Sequence, residues 1–415
     1  MARSSFLFLF LCHVLCWTAS AESPFYLRDG DTVVFYGDSI TDQRLYTNYV
    51  EIYAHTRFPG LHIRFVNSGW GGDRVTGGSG GTIDARLARD VEAYRPTVVT
   101  VLLGMNDGQY RPFDEGLFRI FSSGYEHILR RLREPAPGLR ITLMEPSPYD
   151  DVTAAPKFEG GYNSVLERYG RFVADLAARE KIALADLNAP VVRVLESANR
   201  EYPESARVLI PDRVHPSPGV HLLMAEALLK AWNAPSLVSA VSIDASSGEI
   251  AARNTAVTGL DRTSGLRWSQ MDRALPMPLE RSDPTIAMAL RLSDFGEAMN
   301  REILQITGLP EGSYRLRIDG ETAGTFTGQQ LQEGVNLAPL DTPMRKQATE
   351  VSDLAFRRNH LHFARWRMVD QALGTYRLAT LDAALRALDA LEAETAARER
   401  AAAQPKPHNF ELTRQ

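Results

Sequence analysis

A hydroxyl, an imidazole and a carboxylate stand in two short segments of this chain: Ser39 in FYGDSITDQ, and Asp212 with His215 in PDRVHPSPG. Together such groups could transfer an acyl group. A base takes the serine proton, a carboxylate orients the base, and fixed N–H donors receive the developing oxyanion. Each residue also has a plainer reading, since a serine after Gly-Asp commonly serves a turn or a helix N-cap, and a histidine between prolines can be incidental to a turn. The second segment is nevertheless well suited to hold a base. Asp212 lies three residues before His215, and Pro211, Pro216 and Pro218 keep the stretch out of regular helix and stiffen it. Ser217 and Pro218 suit the N-cap and first position of a following helix, which would anchor the loop at its far end.

The other histidines among the nine read less well as a base. His13 falls in the N-terminal apolar run, His55 and His62 flank a strand entry, His127 lies in a helical stretch, and His408 is near the C-terminus. His360 and His362 are two apart, which turns them to different faces of a helix. Donors for an oxyanion are available at three places. Gly72, in NSGWGGDR, lets a backbone N–H approach a ligand. Asn106, in GMNDG, offers a side-chain amide, and the N–H of Ser39 would be unpaired at a helix start. Taken singly, Gly72 and Asn106 are turn residues. Beside them Trp70 could stack on a sugar ring and Arg74 could meet a polar or anionic group, although a tryptophan there equally suits packing of the loop. The glycines of WGGDRVTGGSGG read as a flexible wall.

Positioning these groups requires a scaffold, and residues 30 to 235 supply its pattern. Continuous apolar runs, TVVFYG, LHIRFVN, TVVTVLLG, RITLMEP and IALADL, alternate with helical-period stretches near 43–57, 84–94, 115–134 and 160–180. Unbroken apolarity suits strands covered on both faces, so the expectation is a three-layer α/β sheet of about five parallel strands. GDSIT, NSGWGGDR and GMNDG each follow a strand and would converge at the carboxyl edge, where such sheets bind ligands. Residues 236–340 read as a small β-rich appendage, with SYRLRIDGETAGTF as a hairpin turning at Asp319-Gly320. Residues 341–400 read as helical, with Leu381, Leu385, Leu388 and Leu391 forming a stripe that would pack on the body, and 401–415 as a flexible tail.

The chain of 415 residues is 44% apolar and 23% charged, with a net charge of −5 and no block of like charge in its body. That balance is globular and gives no footprint for nucleic acid or an anionic membrane. Residues 1–21 have the layout of a secretory signal peptide: Arg3, the apolar run FLFLFLCHVLCW, and Ala19-Ser20-Ala21 as a cleavage site. The run is short for a membrane span, and a secreted or periplasmic location follows. Cys12 and Cys16 both lie inside it, so a chain cleaved after Ala21 has no thiolate for a disulfide, a metal or a nucleophile.

Four segments in this order resemble the SGNH hydrolases, also called GDSL-type esterases: Gly37-Asp38-Ser39-Ile40, Gly72 in NSGWGGD, Gly104-Met105-Asn106-Asp107, and Asp212-Arg213-Val214-His215. Isoleucine at 40 replaces the leucine of the family's name. The resemblance covers about residues 30–235 within a domain of 22–235. It implies a flavodoxin-like sheet, Ser39 as nucleophile, His215 as base, Asp212 as its orienting group, an oxyanion hole from the Ser39 and Gly72 amides and the Asn106 side chain, and neither metal nor cofactor. No long apolar insertion resembles a lipid-binding lid, so the expected substrate is a short acyl group, acetyl above all, on a carbohydrate or other small hydrophilic carrier. A lysophospholipase, a thioesterase, or a non-catalytic carbohydrate-binding protein on the same fold are the alternatives.

Overall fold

A computed structural model describes residues 24–376 and 378–415; the expected signal peptide, with Cys12, Cys16 and His13, lies outside the described residues. Five parallel strands form the central sheet, Thr32–Gly37, Arg64–Gly69, Val98–Leu102, Arg140–Met144 and Ala183–Ala185. Their spatial order is second, first, third, fourth, fifth, the flavodoxin-like arrangement with its reversal beside the first strand. The first strand registers Val34 against Val66 on one side and Val99 on the other. All of Val33–Gly37 and Val98–Leu102 is buried, as unbroken apolar runs require. With the strand order reversing beside the first strand, the right-handed crossovers that parallel strands favour would put helices on both faces.

Those helices carry their own signals. In Glu115–Arg133, Phe121, Tyr125, Ile128, Leu129 and Leu132 make one buried face, the Asp114 carboxylate caps the Leu117 amide, and Arg130, Arg131 and Arg133 occupy the last turn. Pro218–Ala231 begins on a proline, with Ser217 at the N-cap. The expected serine cap bond is not made, and the buried Ser217 hydroxyl has no protein partner among the described residues; its backbone N–H donates to the Leu209 carbonyl at 2.9 Å.

The second half builds two further sheets around a separate core that includes Ile243, Ile306, Leu316, Phe410 and Leu412. One has four strands, with Leu237–Asp244 and Arg301–Thr307 parallel at its centre. The other is antiparallel, and its hairpin Ser313–Ile318 with Glu321–Thr327 turns at Asp319 and Gly320, both at positive φ. Three expectations are corrected. Residues 408–414, placed in a flexible tail, form the middle strand of that second sheet, paired on both sides; His408, Phe410 and Leu412 alternate inward, so the segment satisfies its backbone and buries one face at once. Within 236–340, the helices Pro284–Leu292 and Phe295–Met299 send Ile286, Ala289, Phe295 and Met299 into the hydrolase-side core, so that stretch is not β structure alone. The leucine stripe of the last helix, Leu381–Ala402, is its packing face only in part: Leu381, Leu385 and Leu388 are half-buried and Leu391 is 49% exposed, while the buried residues of the helix include Glu392 and Glu399. These carboxylates face the body because Arg358, His55 and His362 meet them there.

The strand Arg64–Gly69 is an edge of the central sheet, and an edge leaves backbone groups to be covered. Here the cover comes from the helix Pro343–Phe363 and the π-helical turn Ala364–Asp370 that follows it. Arg358 donates to the carbonyl of Phe65 at 3.1 Å, His362 to Asn67 at 3.2 Å, and Arg367 to Gly69 at 3.4 Å. Every second carbonyl along the edge is thus met by a side chain of the C-terminal region.

Candidate active site

Ser39 opens a one-turn helix directly after the first strand, where the Asp38 carboxylate accepts from the Ile40 amide at 3.0 Å. Gly37 precedes it for lack of room: a Cβ there would lie 2.2 Å from the Thr41 hydroxyl and 2.7 Å from the Leu102 carbonyl. The turn can therefore fold tightly back over the third strand, which sets the serine at the sheet's carboxyl edge.

His215 reaches the same point from the loop before Pro218. Its Nε2 lies 2.9 Å from Ser39 Oγ, and its Nδ1 lies 2.6 Å from Asp212 Oδ2. The other oxygen of Asp212 accepts from the amides of Val214 and His215 at 2.9 and 2.7 Å. One carboxylate therefore fixes both the loop and the ring. Partial burial pushes the Asp212 carboxyl up, but the bonds from the His215 ring and these two amides outweigh it and hold it below its usual range. With Asp212 ionised, Nδ1 carries the proton and Nε2 is left as an acceptor for the serine hydroxyl.

The remaining blocks close around this pair. Gly72 stands at φ +78°, in the left-handed region that favours glycine, and a Cβ on its neighbour Gly71 would be 4.0 Å from Ser39 Cβ. Asn106 directs Nδ2 toward the Asp73 carbonyl at 3.0 Å, which leaves the second amide hydrogen for a ligand. The structure brings Ser39, His215, Asp212, Gly72 and Asn106 to one edge. Arg74 is exposed beside them. Trp70 is half-buried and packed against protein: the Arg367 guanidinium lies 3.2 Å from its ring centroid, Arg86 and Arg89 lie at 5.1 Å, and its Nε1 donates to Ser79 Oγ at 3.0 Å. The glycine run after it, read as a flexible wall, folds into a small hairpin of Gly77–Gly78 with Gly81–Thr82, and Gly80 lies against the indole.

Several residues of the site were not singled out by sequence. Tyr110 donates its hydroxyl to Asn106 Oδ1 at 2.8 Å and so settles which way that amide faces. It leans on Tyr149 and Tyr162 with centroids 6.1 and 5.1 Å away. Arg213, at φ +75°, donates to the Asp150 carbonyl at 2.8 Å, pairs with Asp151 and covers the Tyr149 ring, tying the His215 loop to a second loop. His221 is wholly buried, and that burial, with His215 adding to it, lowers its pKa to about 3; the neutral ring meets the Gln43 amide oxygen at 3.1 Å. Behind the serine, burial pushes Asp38 and Asp107 up to about 7 each. Asp107 Oδ1 accepts from the Val75 amide at 3.0 Å, so it braces the loop that carries Gly72. A sequence signal existed for Asp107, next to Asn106 in GMNDG; for Tyr110 and Arg213 the partner is visible only once the chain is folded.

Residues 35–222 match the model of the GDSL-like Lipase/Acylhydrolase family. An acetylxylan esterase of Geobacillus stearothermophilus is 30% identical over 224 residues, which are 49% of this chain and 94% of that protein. Among solved structures, a gut microbial diltiazem-metabolizing enzyme superposes with a TM-score of 0.81 at 26% identity, covering 94% of this chain and 98% of its own. An acetylxylan esterase structure from G. stearothermophilus aligns with 50% of this chain and 96% of its own at 28% identity and a TM-score of 0.40.

Proposed function

Because the chain belongs to the SGNH hydrolases, the GDSL-type esterases and lipases, and so to the enzymes that split esters, we propose that it is an exported serine esterase removing short acyl groups, acetyl foremost, from a carbohydrate. The observation that carries the reading is the relay Asp212, His215, Ser39, with contacts of 2.6 and 2.9 Å.

In this reading Ser39 Oγ attacks the ester carbonyl while His215 Nε2 takes its proton, and Asp212 stabilises the imidazolium that forms. The oxyanion meets the amides of Ser39 and Gly72 and the Asn106 Nδ2, donors set in place before reaction. Collapse breaks the acyl–oxygen bond, the alcohol leaves with the proton from His215, and water then repeats the sequence on the acyl-serine. No metal or cofactor enters these steps.

The acetyl and carbohydrate parts rest on the acetylxylan esterase relative and on the exposed Arg74 beside the site. Export rests on the sequence of residues 1–21. A second reading, a small drug-like ester in place of a glycan, is favoured by the full-length likeness to the diltiazem-metabolizing enzyme and by the Tyr110, Tyr149 and Tyr162 rings beside Asn106. Rates on p-nitrophenyl esters of increasing chain length, run beside acetylated xylan, test both. A maximum at acetate with acetate release from the glycan supports the first reading. A maximum at acetate with no release from the glycan supports the second, and a maximum on long chains contradicts both in favour of a lipid hydrolase.

A further inference from the structure

The three contacts along the sheet edge end at the loop that carries Gly72. The helix supplies Arg358 and His362 four residues apart, in step with successive carbonyls of the strand. The next partner, Arg367, comes five residues later through the π-helical turn Ala364–Asp370. Such wide turns are rare and recur at functional sites.

Arg367 touches that loop at more than one point. It donates to the Gly69 carbonyl, lays its guanidinium on the face of Trp70, and lies 3.8 Å from the Asp42 carboxylate. Asp42 belongs to the Ser39 turn, and its carboxylate lies against Gly71, 3.9 Å from where a Cβ there would stand. One guanidinium therefore bridges residues 69 and 70 and the turn of the nucleophile. Trp366 beside it donates Nε1 to Asp90 Oδ1 at 2.8 Å and meets the Trp70 ring edge-on at 5.8 Å, which fixes the turn that presents Arg367. Side-chain exposure of Arg367 is 19%, so the contact is largely removed from water and not weakened as a surface pair would be.

We propose that Arg367 is a positioning residue for the oxyanion loop, through which the C-terminal region holds the Gly72 amide in register with Ser39. The inference rests on the esterase reading above. It assigns Trp70 a different part from the sugar platform suggested by sequence: the indole is the plate on which the arginine presses, and it transmits that hold to Gly71 and Gly72. The acetylxylan esterase relative is matched over 94% of its length by 224 aligned residues and is too short to hold a counterpart of the region from 341 to 400. The hold is accordingly a feature of the two-part architecture, which the full-length structural neighbour shares.

The test compares Arg367→Ala and Arg367→Lys with Arg365→Ala. Arg365 sits in the same turn but pairs with Asp389 and Asp370, away from the loop. Two readouts are needed on the full chain: amide hydrogen exchange across residues 69–73, and the rate at which a fluorophosphonate labels Ser39. Arg367→Ala is expected to speed exchange at 69–73 and to slow labelling about tenfold, with ester kcat falling alike and KM within about twofold, because a displaced donor acts on the transition state. Arg367→Lys keeps the charge near Asp42 but not the planar stacking, and is expected to fall between. Arg365→Ala should leave both readouts at wild-type values. Exchange at 69–73 unchanged in Arg367→Ala, or raised equally in Arg365→Ala, overturns the proposal. If the wild type itself resists the probe, the esterase reading fails, and the exchange data alone decide whether the loop is held.

Discussion

Two parts of the protein handle buried acids in different ways. Behind the nucleophile turn, Asp38 and Asp107 are wholly buried with no ion pair among the described residues, and each is pushed up to about 7. At the seam where the C-terminal helices meet the hydrolase half, buried acids face cations: Arg358 pairs with Glu51 and lies 3.3 Å from Glu392 and 3.6 Å from Glu399, and His55 meets Glu399 at 2.5 Å. The first pattern suits a site whose acids shape a cavity and its field. The second is a fastening, in which partners from distant stretches hold one another. Through Arg358 and His362 the same seam also meets the edge strand of the central sheet.

Removing the fastening should give the largest effect. Arg358→Met leaves Glu51 buried without its guanidinium and Glu392 and Glu399 with only His362 and His55, and a loss on the order of 3–5 kcal/mol in unfolding free energy is expected from denaturant titration. Ester kcat per folded molecule should change far less. A large loss of kcat in a folded variant would erase the division of labour drawn here.

The complementary change is Asn106→Ala, which removes one oxyanion donor. Turnover should drop roughly 10²–10³-fold, while the thermal midpoint moves little, because the amide's protein contacts are the Asp73 carbonyl and the Tyr110 hydroxyl alone. Steady-state kinetics with a calorimetric scan on the same sample checks both halves of the statement.

The uncompensated acids predict a pH dependence. With a folded value about 7 against an unfolded value near 3.9, Asp107 holds a proton that the unfolded chain has already released. Its contribution to stability is thus present at low pH and is lost as pH rises through 7. Between pH 6 and 8 the loss is roughly 1.4 kcal/mol. Asp107→Asn, which retains an oxygen for the Val75 amide, should lose less stability over that interval than the wild type. An identical pH dependence in the two proteins would remove Asp107 from the account.

The smallest effect concerns Tyr110. Tyr110→Phe keeps the ring against Tyr149 and Tyr162 but frees Asn106 Oδ1. A loss of about 1 kcal/mol in barrier stabilisation, seen as a several-fold lower kcat with unchanged KM, is expected for one neutral hydrogen bond.

What could be read in the chain follows the range of the forces involved. TVVFYG and TVVTVLLG declare two-sided burial by composition, and the turns after them hold Ser39 and Asn106; those parts were legible because strand, turn and site residue are contiguous. The Asp212–His215 pair was legible for the same reason. By contrast, HNFELTR alternates as a strand should, yet its partners are residues 266–272 and 313–318, and the preceding AAAQPKP pointed to an end that frays. The last helix was legible in part: Leu381, Leu385 and Leu388 are half-buried, but its buried anchors are Glu392 and Glu399, and a buried glutamate is intelligible only beside Arg358 or His55. Trp70 divides the same way. Its place near Gly72 was written in the sequence, whereas the arginine on its face comes from residue 367.

The central claim is that Ser39 is the acylated residue. Peptide mass analysis after fluorophosphonate treatment tests it most directly. The account predicts a single adduct on the peptide containing Ser39 in the wild type, and neither adduct nor ester turnover in a folded Ser39→Ala variant. An adduct on another serine, or ester hydrolysis persisting at the wild-type rate in that variant, would contradict it.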